Sequence, residues 1–152
     1  MHINPDHYLE TDSGRVFTSE RNQIAWAKCF HDFENEVINN SSVQIVYVLI
    51  GCQASGKSTW ADKKIKEEPY NIVFDAILVK KVERASILRI TTQKNLQCIA
   101  VLFKTDLAIC LERNAKRTID KIVNQQALKN VFAAIEAPCL NEGFTSIILV
   151  GE

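Results

Sequence analysis

The chain alternates between continuous apolar runs and segments with helical spacing. Residues 43–50 are apolar apart from one glutamine, which is typical of a strand buried on both faces of a sheet. Residues 19–39 follow another pattern, because Trp26, Phe30 and Phe33 recur at spacings of four and three and so share one helical face. The pattern therefore predicts a helix that leads into a buried strand.

The same two patterns recur along the rest of the chain. They predict a very short strand at residues 2–4, strands at 71–74, 98–103 and 146–150, and helices at 57–67, 79–90, 106–122 and 125–137. Residues 10–18 are polar and contain Gly14, so they predict a loop. This alternation predicts an α/β fold with a five-stranded, mostly parallel sheet and helices on both faces.

The composition narrows the class of protein. The 152 residues include 18 basic and 18 acidic side chains, so the chain lacks the net charge that draws proteins non-specifically to nucleic acid. No apolar run reaches the ~18 residues that a membrane helix needs. Five cysteines without a Cys-x-x-Cys pair favour free thiols in a reducing compartment. We therefore expect a cytoplasmic protein without a membrane partner.

One motif stands at the junction of a predicted strand and helix. Residues 51–58 read Gly-Cys-Gln-Ala-Ser-Gly-Lys-Ser. Glycines permit a loop whose backbone amides point inward at phosphate oxygens, and the following helix directs its positive end at the same point. We expect Lys57 to bridge the β- and γ-phosphates of ATP or GTP, and the Ser58 hydroxyl to bind Mg²⁺. The predicted phosphate-binding residues are Gly51, Cys52, Gln53, Ala54, Ser55, Gly56, Lys57, Ser58 and Thr59.

Together with further segments, this motif resembles P-loop kinases of the polynucleotide kinase and zeta-toxin group. Residues 52–61 are similar to the phosphate loop of that family. Residues 113–117 are similar to its lid motif, in which two arginines four positions apart reach over the triphosphate. Residues 71–75, followed by Arg84, resemble its middle strand and acidic end. The resemblance implies a three-layer P-loop fold with a helical lid and a phosphotransferase activity.

The order of segments departs from that family. Its members carry a short strand with an acidic motif after the phosphate loop, and the first aspartate of that motif activates the acceptor hydroxyl. Here residues 3–8, Ile-Asn-Pro-Asp-His-Tyr, resemble the motif but precede the loop. The resemblance therefore implies a rearranged strand order, with the base-bearing strand and its helix placed first. Right-handed crossovers permit it, because each helix keeps its face of the sheet.

The resemblance also assigns roles to individual side chains. The implied catalytic residues are Asp6, Lys57, Asp75, Arg113 and Arg117. Asp6 corresponds to the general base, and Asp75 to an acid that holds Mg²⁺ with Ser58 or steadies the acceptor. Arg113 and Arg117 correspond to the lid cations that neutralise charge on the transferred phosphoryl group. The sequence leaves plainer alternatives open, since the acids also suit turns and the arginines also suit a solvated helix face.

Three further positions carry weaker indications. Arg84 suits either the site or the surface of a helix. Cys52 lies inside the phosphate loop, where exposure would leave it open to oxidation. Family members that act on nucleic acid carry an arginine three residues after the base, and Leu9 stands at that position here. This weakens the case for a nucleic-acid acceptor and leaves nucleotides and small hydroxyl compounds open.

The expected organisation is a single domain over residues 1–152. Its parts are a relocated strand and helix (1–42), a nucleotide-binding core (43–105), a lid region (106–138) and a final strand (139–152). The expected function is transfer of the γ-phosphoryl group of a nucleoside triphosphate to a hydroxyl acceptor, either a polynucleotide 5′-hydroxyl or a smaller compound. The alternatives are a regulatory module that binds or hydrolyses the triphosphate without an acceptor, and a degenerate nucleotide-binding protein.

Overall fold

A computed structural model describes residues 1–151. In chain order its strands are β1 (His2–Ile3), β2 (Glu10–Thr11), β3 (Gly14–Arg15), β4 (Ile45–Ile50), β5 (Ile72–Asp75), β6 (Gln97–Phe103) and β7 (Ser146–Val150). The α-helices are α1 (Ser19–Asn39), α2 (Lys57–Glu67), α3 (Lys81–Gln93), α4 (Leu107–Ala115) and α5 (Gln125–Ala133). Short 3-10 helices span Pro5–Tyr8, Ile119–Lys121 and Leu140–Glu142. Within the described chain, no helix combines the length and apolar character needed to cross a membrane.

Five strands form one parallel sheet in the order β1-β5-β4-β6-β7. The predicted α/β fold with a five-stranded sheet is therefore confirmed. β1 pairs with β5 at the edge, with His2 opposite Val73 and Ile3 opposite Phe74. β4 is central, so the chain that leaves it enters the crevice at the carboxyl edge of the sheet, where ligands bind in open α/β folds. The rearrangement relative to the kinase family stays a prediction.

Alternate residues of the central strands pack on opposite faces, as the pleat of a sheet requires. Val46 and Val48 of β4 face a core completed by α1 and α3, while Tyr47 and Leu49 face a smaller core that includes Ala61 of α2. Both faces of β4 are therefore covered, which explains its unbroken apolar sequence. α1 and α3 therefore lie on one face of the sheet. α2, which leads from β4 to β5, lies on the other face.

The structure corrects the prediction in two segments. Residues 10–18 contain a small antiparallel hairpin of β2 and β3 rather than only a loop. The predicted helix at 106–122 ends at Ala115, and a turn and the 3-10 helix Ile119–Lys121 follow. The side chain of Asn114 causes this break, because its amide nitrogen donates to the Val123 carbonyl at 2.7 Å and its oxygen accepts from the Val123 amide at 3.0 Å. The predicted lid region thus contains a short helix and an anchored loop ahead of α5.

Candidate functional site

The phosphate loop connects β4 to α2 through a turn that only certain residues permit. Gly56 caps α2 in the left-handed region, with φ of +104°. A Cβ atom on Gly51 would lie 2.7 Å from the Ser55 hydroxyl, which is closer than real Cβ atoms approach a neighbour, and 3.0 Å from Cβ of Phe103. Both glycines therefore meet a geometric requirement of the loop.

Lys57 lies inside this loop. Its ammonium group is buried and donates to the carbonyl oxygens of Gly51 at 3.0 Å and Cys52 at 2.8 Å. Burial lowers the pKa of Lys57, and the negative charge of Asp75 opposes that shift. A buried cation without a carboxylate in direct contact is costly. An anion within the loop would supply the missing counter-charge.

Two buried polar atoms in the loop lack a hydrogen-bond partner within residues 1–151, namely the Ser55 hydroxyl and the Gln53 side-chain oxygen. Buried polar groups in native proteins are nearly always hydrogen-bonded to protein, water or ligand. The Ser55 hydroxyl can donate to a phosphate oxygen. Together with Lys57 and the start of α2, Ser55 fits a triphosphate.

Asp75 ends β5 beside the phosphate loop and accepts three hydrogen bonds on Oδ2. The donors are the Ser58 hydroxyl at 2.7 Å, the Asn4 amide at 3.0 Å and Nε2 of His2 at 3.0 Å. Burial alone would raise the pKa of Asp75, but the hydrogen bond from His2 and the charge of Lys57 outweigh it and lower the pKa. A hydroxyl and an ionised carboxylate are oxygen ligands of the kind Mg²⁺ prefers, so this pair fits the metal.

Asn4 connects the two predicted acids. Its side-chain oxygen accepts from the Asp6 amide at 2.9 Å, while its side-chain nitrogen donates to Asp75. Asn4 is also the N-cap of the 3-10 helix Pro5–Tyr8. Asn4 was missed as a site residue, although an asparagine before Pro-Asp is a recognisable capping signal. It fixes the backbone of Asp6 relative to Asp75.

The carboxylate of Asp6 is half-exposed and contacts a residue that the sequence does not indicate. Nη1 of Arg15 lies 3.0 Å from Oδ2 of Asp6, and Nε of Arg15 donates to Glu10 at 3.1 Å. The Arg15 amide donates to the Asp120 carboxylate at 2.9 Å, which ties the hairpin to the lid. No motif marks Arg15, because its place depends on a hairpin that folds against two distant segments.

The two predicted lid arginines differ in their position relative to α4 and in their exposure. Arg113 is in the last turn of α4 with an exposed side chain, whereas Arg117 follows the helix and donates to the Lys121 carbonyl at 3.4 Å. Burial and the nearby charge of Arg15 lower the pKa of Arg117. The prediction that both lie on one helical face is wrong, since the helix ends between them. Both nevertheless reach the same cavity.

A single cavity of about 1190 Å³ joins these groups. The predicted site residues that line it are Asp6, Gln53, Ala54, Ser55, Gly56, Lys57, Ser58, Thr59, Asp75, Arg113 and Arg117. Gly51 and Cys52 are buried beneath the loop instead. Small-molecule sites usually measure roughly 300–1,000 Å³. The cavity is therefore slightly larger than this range.

Two weaker indications have structural explanations. Arg84 is fully buried away from the cavity and forms a bidentate ion pair with Glu142, so it is neither a site residue nor a surface residue. Cys52 is 1% exposed, and burial and a hydrogen bond with Cys110 raise its pKa to about 12. A buried thiol with so high a pKa is unreactive, so oxidation of Cys52 is not expected.

Comparison with known families agrees with this architecture. Residues 64–138 match the model of a family described as an AAA domain. The match begins within α2, after the phosphate loop, and covers just under half of the chain. The fold is P-loop NTPase-like. No curated protein matches the chain. The P-loop NTPase-like region thus includes β5, β6 and the lid, while the segment that carries Asp6 lies outside the matched residues.

Proposed function

We propose that the protein transfers the γ-phosphoryl group of ATP or GTP to the hydroxyl group of an acceptor. The observation that carries this proposal is that Asp6 and Lys57 line one cavity together with Ser58 and Asp75. A module that only bound a triphosphate would not require a second carboxylate, that of Asp6, beside Asp75 in this cavity. Residues 1–151 would act as one catalytic unit.

The triphosphate would bind in the phosphate loop. Lys57 would exchange its contacts with the Gly51 and Cys52 carbonyls for the β- and γ-phosphates. Ser58 and Asp75 would hold Mg²⁺, which when bound neutralises charge on the phosphates. Arg113 and Arg117 would approach the γ-phosphate from the lid. The support for these roles is that all five side chains reach the same cavity.

Asp6 would act as the general base. Arg15 contacts only Oδ2 of Asp6, so the other carboxylate oxygen can accept the proton of an acceptor hydroxyl. The acceptor oxygen then bonds to the γ-phosphorus, and the bond from that phosphorus to the bridging oxygen breaks. Its electron pair leaves with the nucleoside diphosphate. The Asn4 contacts support this role, because they hold Asp6 beside the acid that would bind the metal.

Transfer of labelled γ-phosphate to a panel of hydroxyl compounds tests the proposal. We expect Lys57→Ala to abolish transfer and nucleotide binding, while Lys66→Ala, an exposed lysine of the same helix, leaves both intact. We expect Asp6→Asn to reduce transfer roughly 10²–10⁴-fold with nucleotide binding retained. Asp12→Asn serves as its exposed control in the hairpin turn. Turnover without any acceptor, unchanged by Asp6→Asn, would favour the regulatory module instead.

A further inference from the structure

The two oxygens of the Asp75 carboxylate have different surroundings. Oδ2 accepts from the Ser58 hydroxyl at 2.7 Å, from the Asn4 amide at 3.0 Å and from Nε2 of His2 at 3.0 Å. Oδ1 has no hydrogen-bond partner within residues 1–151, and it is not one of the fully buried atoms that lack one. Since Asp75 lines the cavity, Oδ1 is the oxygen that remains available to a ligand there.

His2 is the donor to Asp75 that has no other role in the site. Ser58 would itself bind the metal, and Asn4 also holds the backbone of Asp6. The side chain of His2 is 13% exposed, and its shortest polar contact is the one with Asp75. A ring nitrogen beside an ionised carboxylate must carry the hydrogen, because such a carboxylate only accepts. His2 therefore donates to Oδ2.

Strand pairing places the His2 ring between the sheet and α2. His2 lies opposite Val73 in the parallel pairing of β1 with β5, and Val73 belongs to the core on the α2 side. Asp75 is two positions further along β5, so its side chain points to that same side. Nδ1 of His2 lies 3.4 Å from the carboxylate of Asp62, an exposed residue of α2. The ring therefore connects α2 to the end of β5.

A carboxylate presents one chosen oxygen only when donors fix its rotation. The terminal torsion of an aspartate is broad, so rotation about it would exchange Oδ1 with Oδ2. Three donors on one oxygen of Asp75 oppose that exchange. Hydrogen-bond partners of metal-binding side chains commonly orient them in this way, and their loss lowers metal affinity by roughly 10–100-fold.

We infer that His2 is a positioning residue for the metal: it holds Oδ2 of Asp75, so that Oδ1 remains available to Mg²⁺ or to a water molecule bound to it. This inference rests on the proposed function, in which Ser58 and Asp75 hold Mg²⁺. His2 is not among the residues that line the cavity, so it acts through Asp75 rather than on the nucleotide. The pairing of β1 with β5 brings it to the site.

Two substitutions of His2 separate positioning from packing. Glutamine can place its amide nitrogen near the position of Nε2, whereas the side chain of asparagine is too short to reach Oδ2. We expect His2→Asn to reduce the factor by which Mg²⁺ tightens nucleotide binding about tenfold, the lower end of the usual range, because Asn4 and Ser58 still hold Oδ2. We expect His2→Gln to keep most of that factor.

The measurement uses a fluorescent, non-hydrolysable ATP analogue. It is titrated into the full chain in EDTA and again in saturating Mg²⁺, and the ratio of the two dissociation constants gives the contribution of the metal without any turnover. Affinity in EDTA should be unchanged in both variants, because His2 does not line the cavity. His31→Asn, the same substitution at an exposed histidine of α1 that bonds Asn35, is the matched control and should change neither value.

A further variant tests the other contact of the ring. Asp62→Asn removes an exposed carboxylate at the longer distance of 3.4 Å, so we expect a smaller effect on the Mg²⁺ factor than that of His2→Asn. An effect as large as that of His2→Asn would overturn the inference, because the charge of Asp62 would then matter more than the bond to Asp75. Urea denaturation of every variant checks its folding.

Several outcomes would overturn the inference. They are an unchanged Mg²⁺ factor in His2→Asn, equal losses in His2→Asn and His2→Gln, no effect of Mg²⁺ on the wild type, and weaker binding or unfolding of His2→Asn in EDTA. Transfer of labelled phosphate is measured in parallel. The expected metal response without transfer to any acceptor would refute the phosphotransferase and leave the role of His2 standing. Transfer by the wild type with an unchanged Mg²⁺ factor in His2→Asn would refute only the role of His2.

Discussion

Two arginine–carboxylate pairs in this protein have the same chemistry and opposite surroundings. Arg84 and Glu142 are 0% and 8% exposed, and two parallel contacts of 2.7 and 3.0 Å join them. Arg15 and Asp6 are 19% and 46% exposed, and a single contact of 3.0 Å joins them. The first pair is fixed in place, whereas the second can exchange partners with a ligand. Burial, rather than the identity of the two residues, separates a structural ion pair from an accessible one.

The buried pair of Arg84 and Glu142 is stable only if its polar atoms are fully hydrogen-bonded. Removing two charges from water costs several kcal/mol per ion, and only complete hydrogen bonding offsets that cost. Arg84 satisfies it by donating also to the carbonyls of Leu78, Val79 and Glu136 at 3.0–3.1 Å. These contacts join α3 to the segments on either side of Pro138. The clamp therefore connects the chain after α5 to the main core.

The largest predicted effect comes from breaking the clamp. Arg84→Ala removes the cation that pairs with the Glu142 carboxylate and one donor from each of three carbonyls, so we expect the free energy of unfolding to fall by about 3–5 kcal/mol. Urea denaturation followed by circular dichroism measures it. Arg89→Ala, an exposed arginine on the same helix, should change stability by less than about 0.5 kcal/mol. Equal midpoints for the two variants would show that the ion pair does not stabilise the fold.

A smaller loss is expected from Glu142→Gln. Glutamine keeps the shape of the side chain and one acceptor oxygen, but Arg84 then remains buried without a counter-charge. We expect a loss of about 1.5–3 kcal/mol, the range for a hydrogen bond to a charged group. The same denaturation experiment measures it. A loss as large as that of Arg84→Ala would mean that charge alone, and not the hydrogen-bond geometry, gives the clamp its stability.

The pH dependence of the stability difference between wild type and Glu142→Gln provides a third test. Burial alone would raise the pKa of Glu142, but hydrogen bonds from Arg84 and the Cys139 amide outweigh it and hold the pKa below its ordinary value of 4.5. The stabilisation is therefore complete above pH 4.5 and is lost as the pH falls through the folded-state pKa. We expect the stability difference between wild type and Glu142→Gln to shrink in that range, by at most about 1.4 kcal/mol per pH unit. A constant difference would contradict the assigned pKa shift.

The elements that the sequence predicted well carry their information locally. The bounds of α1, α2 and β7 are confirmed to the residue, because periodicity and nearby turn residues determine them. The phosphate loop is equally local, since Gly51 and Gly56 meet geometric requirements within eight residues. The place of β1 beside β5 depends on pairing between distant segments, so no local pattern provides it.

The elements that were missed depend on contacts between distant segments. No glycine or proline marks the end of α4, which follows from the two hydrogen bonds between Asn114 and Val123. Arg84 has the spacing of an ordinary helical arginine, and only the return of Glu142 from 58 positions away buries it. Arg15 reaches the cavity because its hairpin packs on Asp120, 105 positions further along the chain. Burial of a charged side chain is therefore the feature that sequence patterns reveal least.

The smallest predicted effect on stability concerns the half-exposed pair. Water competes for both partners, so we expect Asp6→Ala to lower the free energy of unfolding by no more than about 1 kcal/mol, the usual value of an exposed ion pair. The amide of Asp6, which bonds Asn4, is unaffected by the substitution. Denaturation under the conditions used for Arg84→Ala makes the two pairs directly comparable. A loss near that of Arg84→Ala would show that Asp6 is a structural residue, and its role as a base would then lose its support, because a carboxylate that must remain paired cannot also accept a proton from an acceptor.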